Sequence, residues 1–374
     1  MDHRQRVISA VNLIEPDRVP LALWGGSYCL SDGLYFEMLK ELSLGSPVLP
    51  FRNFKGFDYN YLDDRILEAL DIDTRYVDCG FTDLGGATRG SAKDCWGVRY
   101  GQNGDELVPI DPPLLNASVA DLESYPFPVA WKYMRIEEFK SRAKFLKEST
   151  DYAVVGRAFD TQGPFQRCCS LRSTGKFLSD LNSDEEFSFS LIQKVTNVLC
   201  RTLEIFLAEA GQYLDIIELP GDDYAGSRPF ISPKMFDRFF APSWQILIDM
   251  IREAAPRCRI LFHSRGNMEL FIRRLSLMGV DIIHGFEEQP GMELSGLKTQ
   301  FGERICLWGA IDPKVGLTGT VDQVADYTRT MIETLGPGGG YVLSPSTHLG
   351  ANIPARNVIT LFRSASRYGK YPLK

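Results

Sequence analysis

Titratable side chains in this chain collect at one kind of place, just beyond a short apolar run. Glu218 follows LDII, His263 follows RILF, His284 follows VDII and Arg157 ends YAVVGR. Asp222, Asp223 and Arg265 stand a few residues beyond such runs, and His348 follows GYVLSPST. Carboxylates and imidazoles gathered from neighbouring runs can do two kinds of chemistry. They can hold a hard or borderline divalent metal through oxygen and nitrogen ligands, or they can move protons, with one carboxyl kept acidic by its neighbours. Glu218, Asp222, Asp223 and His263 form that candidate cluster, and His348 joins them as a candidate catalytic residue. Each has a blander use. Asp222 and Asp223 can hydrogen-bond amides of their own turn, GDDYAG, and His284 can cap its strand. Arg157, Arg167, Arg172 and Arg265 suit a carboxylated or phosphorylated ligand, or pair with the acids. Arg157 and Arg265, with Trp24 and Tyr224, make the candidate substrate-binding set.

For these residues to meet, the runs must be parallel strands whose C-terminal ends lie together. Each run is four to six residues of mostly β-branched or aromatic character, too short for a helix and too continuously apolar for a sheet with one wet face. Eight of them can be read: 19 to 23, 74 to 79, 152 to 157, 214 to 219, 259 to 264, 280 to 285, 304 to 309 and 340 to 344. Helical periods such as MELFIRRLSLMG and VDQVADYTRTMIETLG alternate with them. The pattern predicts an α/β fold, a (β/α)8 TIM barrel preceded by N-terminal helical segments, forming one domain over 1–374. An open doubly wound sheet is the competing architecture.

Punctuation refines the reading. Ser183 with Glu186 predicts a capping box before LIQKVTNVLCRTLEIFLAEA, and Gly211 ends that helix. Ser232 followed by Pro233 predicts an N-cap, and Pro242 predicts a kink in the helix it opens. Residues 81–113 break the alternation; CWGVRYGQNGDELVPI, with its NGD turn, predicts a β-hairpin inserted around Asn103 and Gly104. Such an excursion offers a surface for a lid or a homodimer contact, and the pattern does not choose between them. GPGGGY precedes a strand instead of opening a helix, so it predicts a tight connection and not a phosphate loop.

A net charge of −7 argues against nucleic acid or an anionic membrane held by bulk electrostatics, leaving a small molecule as the expected ligand. No stretch approaches the roughly 20 apolar residues that span a bilayer, and the start has no apolar leader core, so a cytoplasmic protein is expected. The eight cysteines contain no CxxC pair and several sit inside apolar runs, as reduced thiols used as small hydrophobes do.

EPDRVP near the start, GDDYAGSRPFISPKMFDRFFAP, FHSRGN, LKTQFGERICLWGAID and GGGYVLSPSTHLGANIPARNV occur in that order from residue 4 to about 372. In these elements the chain resembles the uroporphyrinogen decarboxylase and cobalamin-dependent methyltransferase family. The resemblance implies a barrel with ligand in its mouth. The decarboxylase branch carries an arginine-bearing segment after the first strand that grips substrate carboxylates, where this chain has WGGSYCL. That branch also has an active-site tyrosine where Ser170 stands here, while His348 matches its late substrate-contacting histidine. The methylcobalamin:coenzyme M methyltransferase branch implies zinc on an HxC pair and a later cysteine; His263 is kept, but Arg265 and Thr347 stand at the cysteine positions. A thiolate zinc site cannot be assembled from these, so any metal would depend on His263 and Glu218, joined by Asp222 or Asp223. No DxHxxG segment is present, so a corrinoid would arrive on a separate partner protein. The resemblance therefore implies methyl transfer between a small substrate and that corrinoid, with decarboxylation of uroporphyrinogen or another acid, or a non-catalytic binding homologue, as the alternatives.

Overall fold

A computed structural model describes residues 1–373 apart from 24–28, 49–62, 80–92, 104–105 and 159–161. The strands are β1 (Thr74–Asp78), β2 (Arg99–Asn103), β3 (Glu106–Asp111), β4 (Ala153–Arg157), β5 (Ile216–Glu218), β6 (Arg259–His263), β7 (Ile282–His284), β8 (Cys306–Ile311) and β9 (Tyr341–Pro345). Seven of them make one parallel, curled sheet in the order β1-β4-β5-β6-β7-β8-β9. Its strands are buried nearly throughout, as continuously apolar runs require when both faces are covered. Helices cover the outside, giving a TIM-barrel-like α/β architecture.

The run at 19 to 23, expected as a first full strand, makes a single parallel bridge, Leu21 to Leu343 in β9. It nevertheless bonds to both edges of the sheet: Ala22 N–H donates to Leu343 O, and Asp73 N–H, just before β1, donates to Leu21 O. A recurring aspartate explains this placement. Asp73, Asp215 and Asp281 each stand immediately before a strand or its first described residue and accept an amide from the neighbouring segment, Leu21 at 2.7 Å, Val154 at 2.9 Å and Ile260 at 2.8 Å. Leu21 thus stands towards β1 as Val154 of β4 stands towards β5 and Ile260 of β6 towards β7. Asp73 is also held by His3, Arg6 and Arg18, which fastens the N-terminal helix His3–Val11 and the EPDRVP stretch to the end of the sheet opposite the mouth.

β2 and β3 pair antiparallel, the hairpin expected of the 81–113 excursion. Its turn at Gly104, and residues 80–92, lie outside the described residues. Two local expectations need correction. The long helix is Glu185–Ala210 with Asp184, not Ser183, at the N-cap, because Ser183 still belongs to the preceding helix Thr174–Ser183 and Asp184 accepts Phe187 N–H at 3.2 Å. The irregularity expected at Pro242 is a π-helical turn, Phe236–Phe240, after which Pro242 falls in the first turn of helix Ala241–Ala254, where its missing N–H costs nothing.

Candidate functional site

Strand register places three charged residues side by side at the C-terminal ends of β1, β4 and β5: Asp78 opposite Arg157, and Arg157 opposite Glu218. Arg157 and Glu218 are both buried. Glu218 Oε2 has no hydrogen-bond partner among the described residues. Burial pushes its carboxyl up to about 7, with Arg157 pulling it down and Asp78 adding to the rise. Near neutral pH such a carboxyl holds its proton about half of the time, so it can both give and take one.

Next around the sheet come His263 on β6 and His284 on β7, paired in register. Their Nδ1 atoms are 2.7 Å apart, and His284 Nε2 is 3.2 Å from Pro345 O on β9. A carbonyl oxygen only accepts, so His284 carries its proton on Nε2 and offers a lone pair at Nδ1. His263 must then donate from Nδ1, which leaves the lone pair on its Nε2. His348 has the opposite arrangement: Cys29 N–H donates to its Nδ1 at 3.4 Å, with Cys29 Sγ at 3.1 Å, so its proton is on Nε2. Burial, His284, Arg265, Arg157 and His348 hold His263 well below the usual imidazole range. Burial lowers His284 to about 3 against the pull of Pro345 O, and burial, Arg265 and Arg157 lower His348 to about 3. On these partners His263 Nε2 is an acceptor and His348 Nε2 a donor, both on uncharged rings.

The GDDYAG turn after β5 divides its work. Asp223 points to the rim: it accepts Arg265 N–H at 2.7 Å and Gln166 Nε2 at 2.9 Å, and it pairs with the half-exposed Arg265 guanidinium at 2.9 Å. Asp222 points inward and is fully buried. It accepts Phe165 N–H at 3.0 Å, Gln166 N–H at 2.7 Å and the Tyr224 hydroxyl at 2.5 Å. Those amides belong to the first turn of helix Pro164–Arg172, whose own N-cap, Gly163, has no side chain to cap with. A Cβ on Gly163 would meet Asp222 Cγ and Trp244 Cζ2 at 2.8 Å, so glycine is what lets the carboxylate in. Burial drives Asp222 up to about 7, opposed by Tyr224 and the two amides.

Tyr224, expected to touch substrate, requires correction. Its ring packs among Phe165, Phe236, Phe240 and Phe271, and its hydroxyl accepts Trp244 Nε1 at 2.7 Å while donating to Asp222. An aromatic wall needs burial, and the hydroxyl holds Asp222 in place. Arg167 and Arg172 also serve structure, bonding to Asp94 at 2.8 Å and Asp180 at 2.8 Å. Trp24 lies outside the described residues.

A cavity of about 600 Å³ opens beside the mouth. Gln162, Gln166, Ser170, Asp223, Arg265 and Phe230 line it, together with Pro109 and Pro112 of the hairpin side, while Glu218, His263 and His348 do not. Among the described residues no three His, Cys, Asp or Glu side chains converge as a metal would need. Glu218 and His263 thus lack a third ligand there, and the donor set does not fit a protein-held zinc ion. The sequence reading placed His284 at a strand end but favoured a cap for it, and it missed Gln166, which has no titratable signal. The HG pair at 284 and 285, ending a strand in the same register as RILFH, was the available clue to the first.

A family model described as Uroporphyrinogen decarboxylase (URO-D) matches residues 97–368. Curated relatives include uroporphyrinogen decarboxylase 2, chloroplastic, of Oryza sativa subsp. japonica, 24% identical over 60% of this chain and 54% of that protein. The chloroplastic uroporphyrinogen decarboxylase of Zea mays is 24% identical over 49% of this chain and 43% of that protein. The chain spans about half the length of the curated relatives it matches. Among solved structures, a methyltransferase from Methanosarcina mazei is similar in fold at 16% identity and a TM-score of 0.66, covering 98% of this chain and 99% of that one.

Proposed function

The chain belongs to the uroporphyrinogen decarboxylase family, and from there we propose that it transfers a methyl group from a small heteroatom-methylated compound to a corrinoid carried by a separate protein. The observation that carries this reading is Glu218, a buried carboxyl with an oxygen that no described residue engages and with its titration pushed up to about 7. Breaking a carbon–heteroatom bond leaves charge on a poor leaving group. A proton delivered to that heteroatom as the methyl carbon departs removes the charge. Glu218 supplies the proton, the corrinoid as co-substrate accepts the methyl group, and solvent returns the proton to Glu218. His263 Nε2 accepts, and His348 Nε2–H donates, hydrogen bonds that orient the substrate. WGGSYCL in place of an arginine-bearing carboxylate grip favours this reading over porphyrin decarboxylation.

Decarboxylation of a carboxylated substrate is the second reading, favoured by Arg265 at the cavity rim. One experiment separates the two. The protein is incubated with reduced cobalamin and a panel of O-, N- and S-methyl compounds, and methylated corrinoid is followed by absorbance. Turnover that falls at least about 10²-fold in Glu218→Gln is the expected result. Coproporphyrinogen formed from uroporphyrinogen, with no methyl transfer from any donor, would overturn the proposal.

A further inference from the structure

His284 is the middle link of a hydrogen-bond chain that runs from Pro345 O on β9, past β8, to His284 on β7 and His263 on β6. Both rings are buried, His284 fully. The alternative proton placement, with His284 donating from Nδ1, would set its Nε2 lone pair against the Pro345 carbonyl at 3.2 Å. A doubly protonated His284 would point an N–H at the Nδ1–H of His263 2.7 Å away and put a cation in a buried site. One tautomer pair satisfies all three groups. The backbone is fitted to it: Gly285 sits at φ +93°, and a Cβ there would come within 2.6 Å of His263 Cε1 and 2.7 Å of its Nδ1. Nothing bulkier would let the His263 ring lie against this loop.

From this geometry we infer that His284 is a positioning residue that fixes His263 as its Nδ1–H tautomer and so keeps Nε2 unprotonated for the mouth. The carbonyl of β9 sets the proton on His284, His284 sets the proton on His263, and the face that meets a ligand is a hydrogen-bond acceptor. The catalytic meaning of this arrangement rests on the reading that His263 works in the mouth, whereas the tautomer itself holds whatever the reaction is. A ligand group that donates a hydrogen bond, such as a hydroxyl, an amine N–H or a protonated leaving group, matches Nε2. A carboxylate or ether oxygen does not.

The protein has four histidines, so ¹⁵N-histidine labelling gives a spectrum that single variants can assign. Two-bond ¹H–¹⁵N correlations read each tautomer directly in the full chain, without substrate. His263 is expected as Nδ1–H and His284 as Nε2–H. In His284→Leu the His263 population should move toward Nε2–H, and turnover should fall about 10–100-fold, the range seen when partners that orient a functional histidine are lost. His284→Asn puts a carbonyl oxygen near the place of the lost Nδ1 and should restore the His263 tautomer and part of the rate. Nε2–H on His263 in the parent protein, or an unmoved tautomer in folded His284→Leu, would overturn the inference. If His284→Leu does not fold, the parent spectrum and the Asn variant still decide. A correct tautomer in a protein that transfers no methyl group would reject the proposed function and leave this inference standing.

Discussion

Glu218 and Asp222 are both fully buried and both pushed to about 7, yet they do opposite work. What separates them is the inventory of donors. Asp222 accepts from two amides and a hydroxyl, so its oxygens are spent on holding a helix and a tyrosine. Glu218 Oε2 has no such partner among the described residues. The same property has a thermodynamic signature. The folded value, about 7, lies above the 4.5 of an ordinary glutamate, so the folded state binds the proton more tightly than the unfolded chain does. Stability from this group is therefore greatest below 4.5 and declines as pH rises to about 7, by up to about 3 kcal/mol. Glu218→Gln keeps the shape without the titration and should flatten that decline relative to the parent. Urea unfolding at a series of pH values checks it; identical pH dependence in parent and variant would mean that Glu218 ionises as freely in the folded protein as in the unfolded one.

At the scale of elements, each strand end was legible because a four-to-six-residue apolar run has to stop where the polar mouth begins. That put Glu218, His263 and His348 at the correct end of the sheet from spacing alone. Side-chain direction within the GDDYAG turn was not legible, since adjacent residues of a loop face opposite ways and no period tells which. Asp223 reaches Arg265 and the cavity, while Asp222 turns to the helix that Gly163 leaves uncapped. Tyr224 was misread because an aromatic in a polar turn resembles a ligand contact, whereas the phenylalanines that claim it lie on other helices, 12 to 59 residues away in sequence. The loop after β7 supports a prediction of the same kind. Gly285→Ala meets two obstacles at once, a positive φ and the His263 ring. It should cost about 1–3 kcal/mol and displace His263, lowering turnover. Gly296→Ala, in helix Leu294–Phe301 with nothing within 4 Å of a new Cβ, should be neutral or stabilising by up to about 1 kcal/mol. Denaturation and turnover of the pair test this; equal behaviour would remove the steric argument for the His263 position.

Across the whole molecule, the chemistry sits at one end of the parallel sheet and the fastening at the other, and the chain order makes the fastening unequal. Asp215 and Asp281 join strands already flanked by full neighbours, whereas Asp73 holds a segment with one bridge, 19 to 23, between the two edge strands. Burial opposes the ionised form of Asp73, but His3, Arg18, Arg6 and the Leu21 amide outweigh it and hold the carboxyl below its usual value of 3.8. Its stabilisation is thus present above 3.8 and is lost as pH falls through the lower folded value. Asp73→Ala takes one of two carboxylate partners from Arg6, which keeps Asp17, and from Arg18, which keeps Asp71, and it leaves the buried Leu21 amide without its side-chain acceptor. Losing the charged acceptor between two guanidinium groups and orphaning that amide costs about 1–3 kcal/mol. Asp281→Ala should cost less, because its partners Arg252 and Arg259 are about a third exposed and can turn to water. The loss in Asp73→Ala should come without any change in the His263 tautomer or in turnover per folded molecule, since these aspartates precede the strands and the site follows them. Urea unfolding of both variants, with turnover normalised to the folded fraction, measures this. Equal losses in the two variants would mean that residues 19 to 23 are held chiefly by β9, and that the Asp73 cluster fastens only the N-terminal helix.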